Sequence, residues 1–260
     1  MFQRAIDGVA WLVVLFLLGP LVAIIGGSVT ETPYVAFPPQ GFTLRWYQLL
    51  LHRQDFLDSF INSVLIALLC TLVATGLGVL AAVGLHRRAF MGRPAMQAFL
   101  MSPLILPTIV TGVALLQFYY LIALDAPFAG LVIGHVVITT PYVVRTVGAG
   151  LVRMNPAIEE AAESLGARAT RVLLRVTLPA IAPSILAAVI FVFITSFDQA
   201  TVSIFLSGPG LMPLPVRILN YIEFAVDPMV AAVSTLLIVF AFALVALLQR
   251  LLGLDRALGA

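Results

Sequence analysis

Acidic residues are the most informative groups in this sequence, because they are few and three of them lie close together. Glu159, Glu160 and Glu163 stand in a charged segment between two long apolar runs. Such a cluster offers a charged surface to a basic partner. Asp198 is the acid nearest the interior of an apolar run, and acids in that setting usually line a cavity or attract a cation. The chemistry predicted is recognition of charge.

The other reactive side chains form no catalytic or metal-binding pattern. All fourteen basic residues are arginine, which excludes a Walker A lysine and lysine nucleophiles. Cys70 is the single cysteine and stands in an apolar run, so we expect it to pack as a small hydrophobe. His52, His86 and His135 show no ligand spacing. We therefore expect no enzyme activity, and no metal or cofactor bound by this chain.

The composition predicts one integral membrane domain covering residues 1–260. The chain is 62% hydrophobic and 10% charged, far below the roughly one quarter of charged residues in a soluble domain. Six uncharged runs are long enough to cross a bilayer as helices. They are Gly8–Val29, Ser59–Leu85, Pro94–Leu124, Ala126–Val144, Val176–Phe197 and Pro228–Gln249. The first is too long for the apolar core of a signal peptide and is interpreted as a retained span.

Prolines and glycines predict the internal geometry of these runs. Pro103 and Pro107 each remove a helical hydrogen bond, so the third run should kink there or begin as a re-entrant segment. Small residues allow close helix packing, which is predicted at Gly76, Gly78, Gly84, Gly130 and Gly134. Asn62 and His135 are candidates for hydrogen bonds between helices.

Arginine sets the predicted orientation through the positive-inside rule. Eleven arginines fall on one side: Arg4, Arg87, Arg88, Arg93, Arg145, Arg153, Arg168, Arg171, Arg175, Arg250 and Arg256. Three fall on the other: Arg45, Arg53 and Arg217. Both termini and the glutamate-bearing loop, at about residues 149–182, are therefore predicted to be cytoplasmic.

The glutamate loop is predicted to form a helical hairpin. Asn155 and Pro156 suit a helix start, and Gly166 suits a left-handed helix end. The first helix has an apolar stripe of Ile158, Ala161, Ala162 and Leu165. The second helix should follow Thr170 and stop at Pro179. It would carry Arg168, Arg171 and Arg175 on one face and Val172, Leu173 and Val176 on the other.

Two interpretations of this hairpin remain open from the residues alone. It could lie in the headgroup layer, with its arginines on lipid phosphates. Alternatively it could bind another protein. The three glutamates favour the second interpretation, because an anionic lipid surface would repel them.

The loop resembles the EAA loop of permease subunits of binding-protein-dependent ABC importers. The resemblance rests on Glu160-Ala161-Ala162, Gly166 and Leu178-Pro179 at the family's spacing, with Val176 where isoleucine is usual. It implies the all-α, six-span permease fold of a type I importer in a bacterial inner membrane. It further implies that the loop binds a separate ATPase, with Glu160 meeting a basic residue there and Gly166 making the turn. The implied ATPase-coupling residues are Glu159, Glu160, Ala161, Ala162, Glu163, Leu165, Gly166, Leu178 and Pro179.

The last two spans are similar to the spermidine/putrescine-type branch of these permeases. The similar stretches are Ser196-Phe197-Asp198, Phe205-Leu206-Ser207-Gly208-Pro209, Leu214-Pro215-Val216-Arg217-Ile218 and Asp227-Pro228-Met229-Val230-Ala231-Ala232. The resemblance implies transport of a small nitrogenous solute, polyamine or amino-acid-like. Gln199 departs from the branch, where a second acid often follows Asp198, and this weakens the case for a dication.

The candidate pathway residues are Asp198, Phe197, Gln117 and Tyr120. Asp198 lies roughly 22 Å along a helix counted from Pro183, near the outer interface. Two alternatives stay open. Asp198 could be a helix-end acid that meets water or Arg217, and Gln117 and Tyr120 could belong with Tyr119 to an interfacial belt.

The resemblance also implies the partners. These are a second permease, expected to be a different chain, two ATPase subunits that bind ATP and Mg, and a periplasmic or lipid-anchored solute-binding protein. Two rival functions are a secondary transporter that works alone and a membrane scaffold that transports nothing. A secondary transporter tends to show repeated halves and midplane acids, and neither is seen in the sequence.

Overall fold

The computed structural model of the chain describes residues 2–87, 89–208, 210–225 and 227–252. These residues form helices, and the described β-pairing is an isolated bridge between Gly208 and Leu211. The helices are α1 (Phe2–Gly27), α2 (Arg45–Leu51), α3 (Gln54–Arg87), α4 (Arg93–Ile105), α5 (Thr108–Leu121), α6 (Pro127–Arg153), α7 (Ala157–Ser164), α8 (Ala169–Val172), a π-helical turn (Leu173–Thr177), α9 (Leu178–Ala180), α10 (Ala182–Phe197), α11 (Thr201–Leu206), α12 (Leu214–Phe224) and α13 (Pro228–Leu252).

Four long helices and two bent helix pairs correspond to the six predicted apolar runs. By length and composition, four described helices could each cross a membrane, and two bent pairs raise the number to six. The pairs are Arg93–Ile105 with Thr108–Leu121, bent by 106°, and Ala169–Ala180 with Ala182–Phe197, bent by 70°. The orientation stays a prediction. Two of the arginines that support it, Arg88 and Arg256, lie outside the described residues, as does Pro209 of the branch motif.

The predicted break in the third run is confirmed, and it lies at Pro107. Leu106 is extended, with φ −77° and ψ 138°, because the ring of a following proline disfavours helical backbone. The next helix, α5, then starts at Thr108. Pro103, by contrast, lies inside α4 without ending it.

Backbone contacts divide the chain into two compact units. The first comprises Met1–Asp58 and Arg217–Leu244, and the second comprises Ser59–Val216 and Val245–Ala260. In the first unit, Trp46 donates its indole N–H to the Thr30 carbonyl at 2.8 Å. There too, Arg53 pairs with Asp55 at 2.8 Å and lies over the ring of Tyr221, 5.5 Å from its centroid. These contacts order the segment between α1 and α3.

The second unit contains two hydrophobic clusters. One has at its centre Cys70, Ala74, Ala82, Val83, Val143, Val144, Val147, Leu151, Ile181, Ala188 and Val192. The other comprises Ile66, Tyr119, Leu131, Ile138, Val202 and Leu206. Cys70 is fully buried, as predicted, and its sulfur also lies 3.3 Å from the Thr139 hydroxyl.

Glycine packing agrees with the sequence prediction at three positions and differs at two. A Cβ on Gly78 would lie 2.5 Å from Val143, one on Gly134 would lie 2.6 Å from Leu206, and one on Gly130 would lie 3.1 Å from the Tyr119 ring. Gly76 and Gly84 were predicted to pack closely, and this is wrong. Both are exposed, and among the described residues a Cβ there would meet nothing within 4 Å.

Candidate functional site

The glutamate loop folds as the predicted hairpin between α6 and α10. The side-chain oxygen of Asn155 accepts a hydrogen bond from the Ala157 N–H at 3.0 Å and caps the start of α7. Gly166 ends α7 with φ +82°. Its N–H donates to the Glu163 carbonyl at 2.8 Å, and the Ala167 N–H donates to the Ala162 carbonyl at 3.1 Å. This pair of bonds is a Schellman motif, and it fixes the turn between the two arms.

The second arm differs from the prediction at both ends. Helical backbone begins at Ala169 and passes through the π-helical turn to Ala180, so Pro179 does not stop it. The π turn explains this, because α9 starts anew after it and places Pro179 in its first turn, where a missing N–H is tolerated. The predicted faces are confirmed: Arg168, Arg171 and Arg175 are exposed, Val172 is buried, and Leu173 and Val176 are half-buried.

A three-residue clamp ties the hairpin to α3. Arg87, at the end of α3, donates hydrogen bonds to the Glu159 carboxylate and to the Thr177 hydroxyl. Thr177 also donates to the same Glu159 oxygen. Thr177 is fully buried, whereas the side chains of Arg87 and Glu159 are 24% and 21% exposed. The clamp therefore joins a long apolar helix to both arms of the hairpin.

The clamp is charged at neutral pH. Burial alone would raise the pKa of Glu159, but hydrogen bonds from Thr177 and Arg87 outweigh it, and the pKa lies below its ordinary value. Because the folded pKa is the lower one, the clamp contributes stability above the pKa of the unfolded carboxyl. That stability is lost only as the pH falls through the folded value.

Glu159 thus turns inward, whereas the other proposed contact residues of α7 stay accessible. Glu160, Ala161, Glu163 and Leu165 are exposed, with Leu165 at 89%. Ala162, on the inner side of α7, is half-buried; in the second arm Pro179 is exposed and Leu178 is half-buried. The described residues therefore leave much of the apolar stripe of α7 uncovered and available to another protein.

The sequence did not identify two members of the clamp. The sequence indicates Arg87 only as a positive-inside charge, and it gives no signal for Thr177. They lie 72 and 90 residues from their partners Glu159 and Arg87 in sequence, so no helical spacing connects them. A faint signal was available in Glu159, an acid beside the apolar stripe of its helix with no basic residue three or four positions away.

The four candidate pathway residues occupy two places. Phe197 and Asp198 lie at the end of α10, where the Phe197 ring lies 6.1 Å from Phe193 and 6.0 Å from Phe60. Asp198 is exposed. Gln117 and Tyr120 are exposed on α5. Their neighbour Tyr119 is buried and donates its hydroxyl to the Gly130 carbonyl at 3.0 Å, so it is a packing residue and not part of a belt.

His135 forms the predicted bond between helices, and in fact forms two. Its Nδ1 lies 2.8 Å from the Ser196 hydroxyl of α10, and its Nε2 lies 2.9 Å from the Ser203 hydroxyl of α11. A neutral imidazole donates from one nitrogen and accepts at the other, and each hydroxyl can take either role. His135 therefore fixes both sides of the short connection that carries Asp198 and Gln199.

Replacing His135 with leucine is expected to lower the stability of the folded chain by about 1–2 kcal/mol, because two buried hydroxyls lose their hydrogen bond to the imidazole, although Ser203 keeps its bond to the Gln199 carbonyl. Heat-induced loss of monodisperse protein in detergent measures this effect. Ile133→Leu, at an exposed position of the same helix, is the matched control. Equal melting of the two variants would contradict the role assigned to His135.

Comparison with known proteins places the chain in a family. The profile of the family described as "Binding-protein-dependent transport system inner membrane component" matches residues 74–254. The spermidine/putrescine transport system permease protein PotC of Escherichia coli (strain K12) is 31% identical over 244 residues, covering 94% of this chain and 92% of the relative. The putrescine transport system permease protein PotI of the same strain is 30% identical over 241 residues, covering 88% and 85%.

Solved structures agree at the level of the fold. A bacterial ABC transporter that imports the acidic polysaccharide alginate aligns with a TM-score of 0.76 at 17% identity, covering 96% of this chain and 93% of that chain. An amino acid ABC transporter aligns with a TM-score of 0.64 at 16% identity, covering 81% and 98%. The predicted permease fold is therefore confirmed.

These findings define a multi-pass membrane protein of the ABC importer class. The chain belongs to the family of binding-protein-dependent transport system inner membrane components. It is a permease subunit and not an enzyme, since ATP hydrolysis in these systems belongs to a separate subunit.

Proposed function

We propose that this permease forms half of a pathway for a small polyamine-like amine. The observation that carries the proposal is its similarity, over nearly the whole chain, to two permeases named for spermidine or putrescine transport. Solutes of this kind are flexible cations, so their pathway needs carboxylate and aromatic groups at accessible positions. Asp198 is an exposed carboxylate and Phe197 is a half-buried aromatic residue, and they are consecutive at the end of α10.

Gln199 limits the number of positive charges that the substrate is expected to carry at this point of the pathway. An amide in place of a second acid leaves one carboxylate at this point of the pathway, which favours a solute with a single ammonium group there. The second permease, expected to be a different chain, would supply the remaining contacts. Gln117 and Tyr120 on α5 are proposed as a more distant wall of the same pathway.

The proposed partners are this second permease, two ATPase subunits and an external solute-binding protein. Closure of the ATPase pair on ATP would move the α7–α9 hairpin, which presents Glu160 and the exposed Leu165. The clamp would then carry the movement from the hairpin to α3, and the direct continuation into α10 would carry it to Asp198. Alternating access follows if both permeases move together.

Asp198→Asn is expected to raise the KM for spermidine or putrescine uptake about tenfold or more, since a lost charge contact of this kind is worth more than about 1.4 kcal/mol. Uptake by the complete importer in proteoliposomes measures it. Asp125→Asn, at another exposed acid outside the helices, is the matched control.

Three outcomes would contradict the proposal. Equal KM values for the two variants would remove Asp198 from the pathway. Uptake driven by an ion gradient without ATP would instead point to a secondary transporter. Unchanged uptake after deletion of the chain would point to a scaffold.

A further inference from the structure

A cavity of about 260 Å³ opens between the ends of α3, α4 and α6. It lies on the side of the membrane that the arginines predict to be cytoplasmic, close to the charged ends of the apolar runs. No residue of the α7–α9 hairpin and none of the proposed pathway residues belongs to its described lining. The cavity therefore needs an explanation separate from ATP coupling and solute passage.

The polar part of the lining consists of hydrogen-bond donors. They are His86 of α3, Arg93 and Gln97 of α4, and Arg145 of α6. None of the described lining residues carries a carboxylate. Glu159, which interacts electrostatically with His86, is held by Arg87 and Thr177. Helices α4 and α6 thus each bring one guanidinium group to the same opening, and the described lining has no acid to neutralise them.

The rest of the lining is apolar and small. It comprises Ala82, Leu85, Met101, Val144, Gly148 and Val152. A soluble anion would gain nothing from this surface, whereas a molecule with a charged head and an apolar body would fit both parts. Basic pockets between membrane helices on the cytoplasmic side are suited to anionic lipid headgroups. Arginine in particular matches the oxygens of a phosphate.

We propose that this cavity binds an anionic phospholipid of the cytoplasmic leaflet, with its phosphate on Arg93 and Arg145 and its glycerol region against Met101 and Val144. The lipid would fill the gap between α4 and the α3–α6 pair. Because α4 leads into the break at Pro107, a lipid bound in the cavity would stabilise the position of α4 in the bent span.

The test uses the complete importer, purified in detergent and titrated with phosphatidylglycerol or phosphatidylcholine while native mass spectrometry counts the bound lipids. The wild-type complex is expected to hold one phosphatidylglycerol more tightly than phosphatidylcholine. Arg145→Gln should weaken this site about fivefold, and the further change Arg93→Gln about fivefold again. Arg145→Lys, which keeps the charge, should retain most of the binding.

Arg153→Gln is the matched control, because Arg153 is exposed near the end of the same helix and does not line the cavity. Equal phosphatidylglycerol binding by Arg145→Gln and Arg153→Gln would overturn the proposal. Displacement of the lipid by inorganic phosphate would assign the site to a soluble anion. Absence of any tight lipid in the wild-type complex would mean that another subunit covers the cavity, and this too would overturn the proposal.

Discussion

Arg87→Glu is expected to lower ATP-driven uptake about tenfold or more while the protein still inserts in the membrane. The substitution places two carboxylates and the buried Thr177 hydroxyl together, where the native structure has an ion pair. Loss of one partner from a mostly buried pair costs up to about 3–5 kcal/mol, and partial exposure reduces this to about 2 kcal/mol here. The hairpin would then be released from α3.

The measurement must distinguish a loss of coupling between ATP hydrolysis and solute transport from a general loss of folded protein. We expect the variant to bind the ATPase and hydrolyse ATP, but to transport less solute for each ATP consumed, because the hairpin still presents Glu160 while its link to α3 is broken. The double variant with Arg87→Glu and Glu159→Arg restores the opposite charges. It should recover a large part of the uptake, with a coupling energy of about 0.5–3 kcal/mol in the double-mutant cycle.

Arg153→Glu is the control, because it reverses the charge of another arginine on the predicted cytoplasmic side of the membrane. If the double variant transports no better than either single variant, the ion pair does not carry the movement. Normal uptake by Arg87→Glu alone would lead to the same conclusion.

Gly166→Pro is expected to abolish stable association with the ATPase. Gly166 has φ +82°, which proline cannot adopt, and its N–H donates to the Glu163 carbonyl. The Schellman motif would be lost, and the two arms of the hairpin would no longer be held at their native angle. Co-purification of the ATPase with the tagged permease measures the effect.

A graded series at the same position isolates the backbone as the cause. A Cβ on Gly166 would meet no atom of the described part of this chain within 4 Å, so clashes within the chain do not contribute. Gly166→Asn should retain most of the association, because asparagine tolerates the left-handed region. Gly166→Ala should be intermediate, with a cost of about 1–2 kcal/mol. Equal association by the proline and asparagine variants would contradict the role of this turn.

Local features of the hairpin could be predicted from the sequence because short-range chemistry produces them. Asn155 and Gly166 act through hydrogen bonds within a few residues of themselves. The same holds for Pro107, whose ring determines the conformation of Leu106 directly. Patterns of this kind need no knowledge of the rest of the chain.

Errors arose where the partner lies far away in sequence. Gly76, Gly78 and Gly84 looked alike, but only Gly78 faces Val143 of α6. Tyr119 and Tyr120 are adjacent, and only the first turns toward Gly130. The rotation of each helix about its axis decided these cases, and packing against other helices sets that rotation.

The sequence by itself determined that the chain is a membrane protein, that its third span is broken, and which loop forms a helical hairpin. These properties follow from hydrophobicity, backbone restriction and local hydrogen bonding. Only the tertiary structure decided which glutamate faces outward, which arginine holds the hairpin, and where two arginines are left beside an apolar cavity. Those outcomes depend on groups that meet across three helices, and no spacing along one helix encodes them.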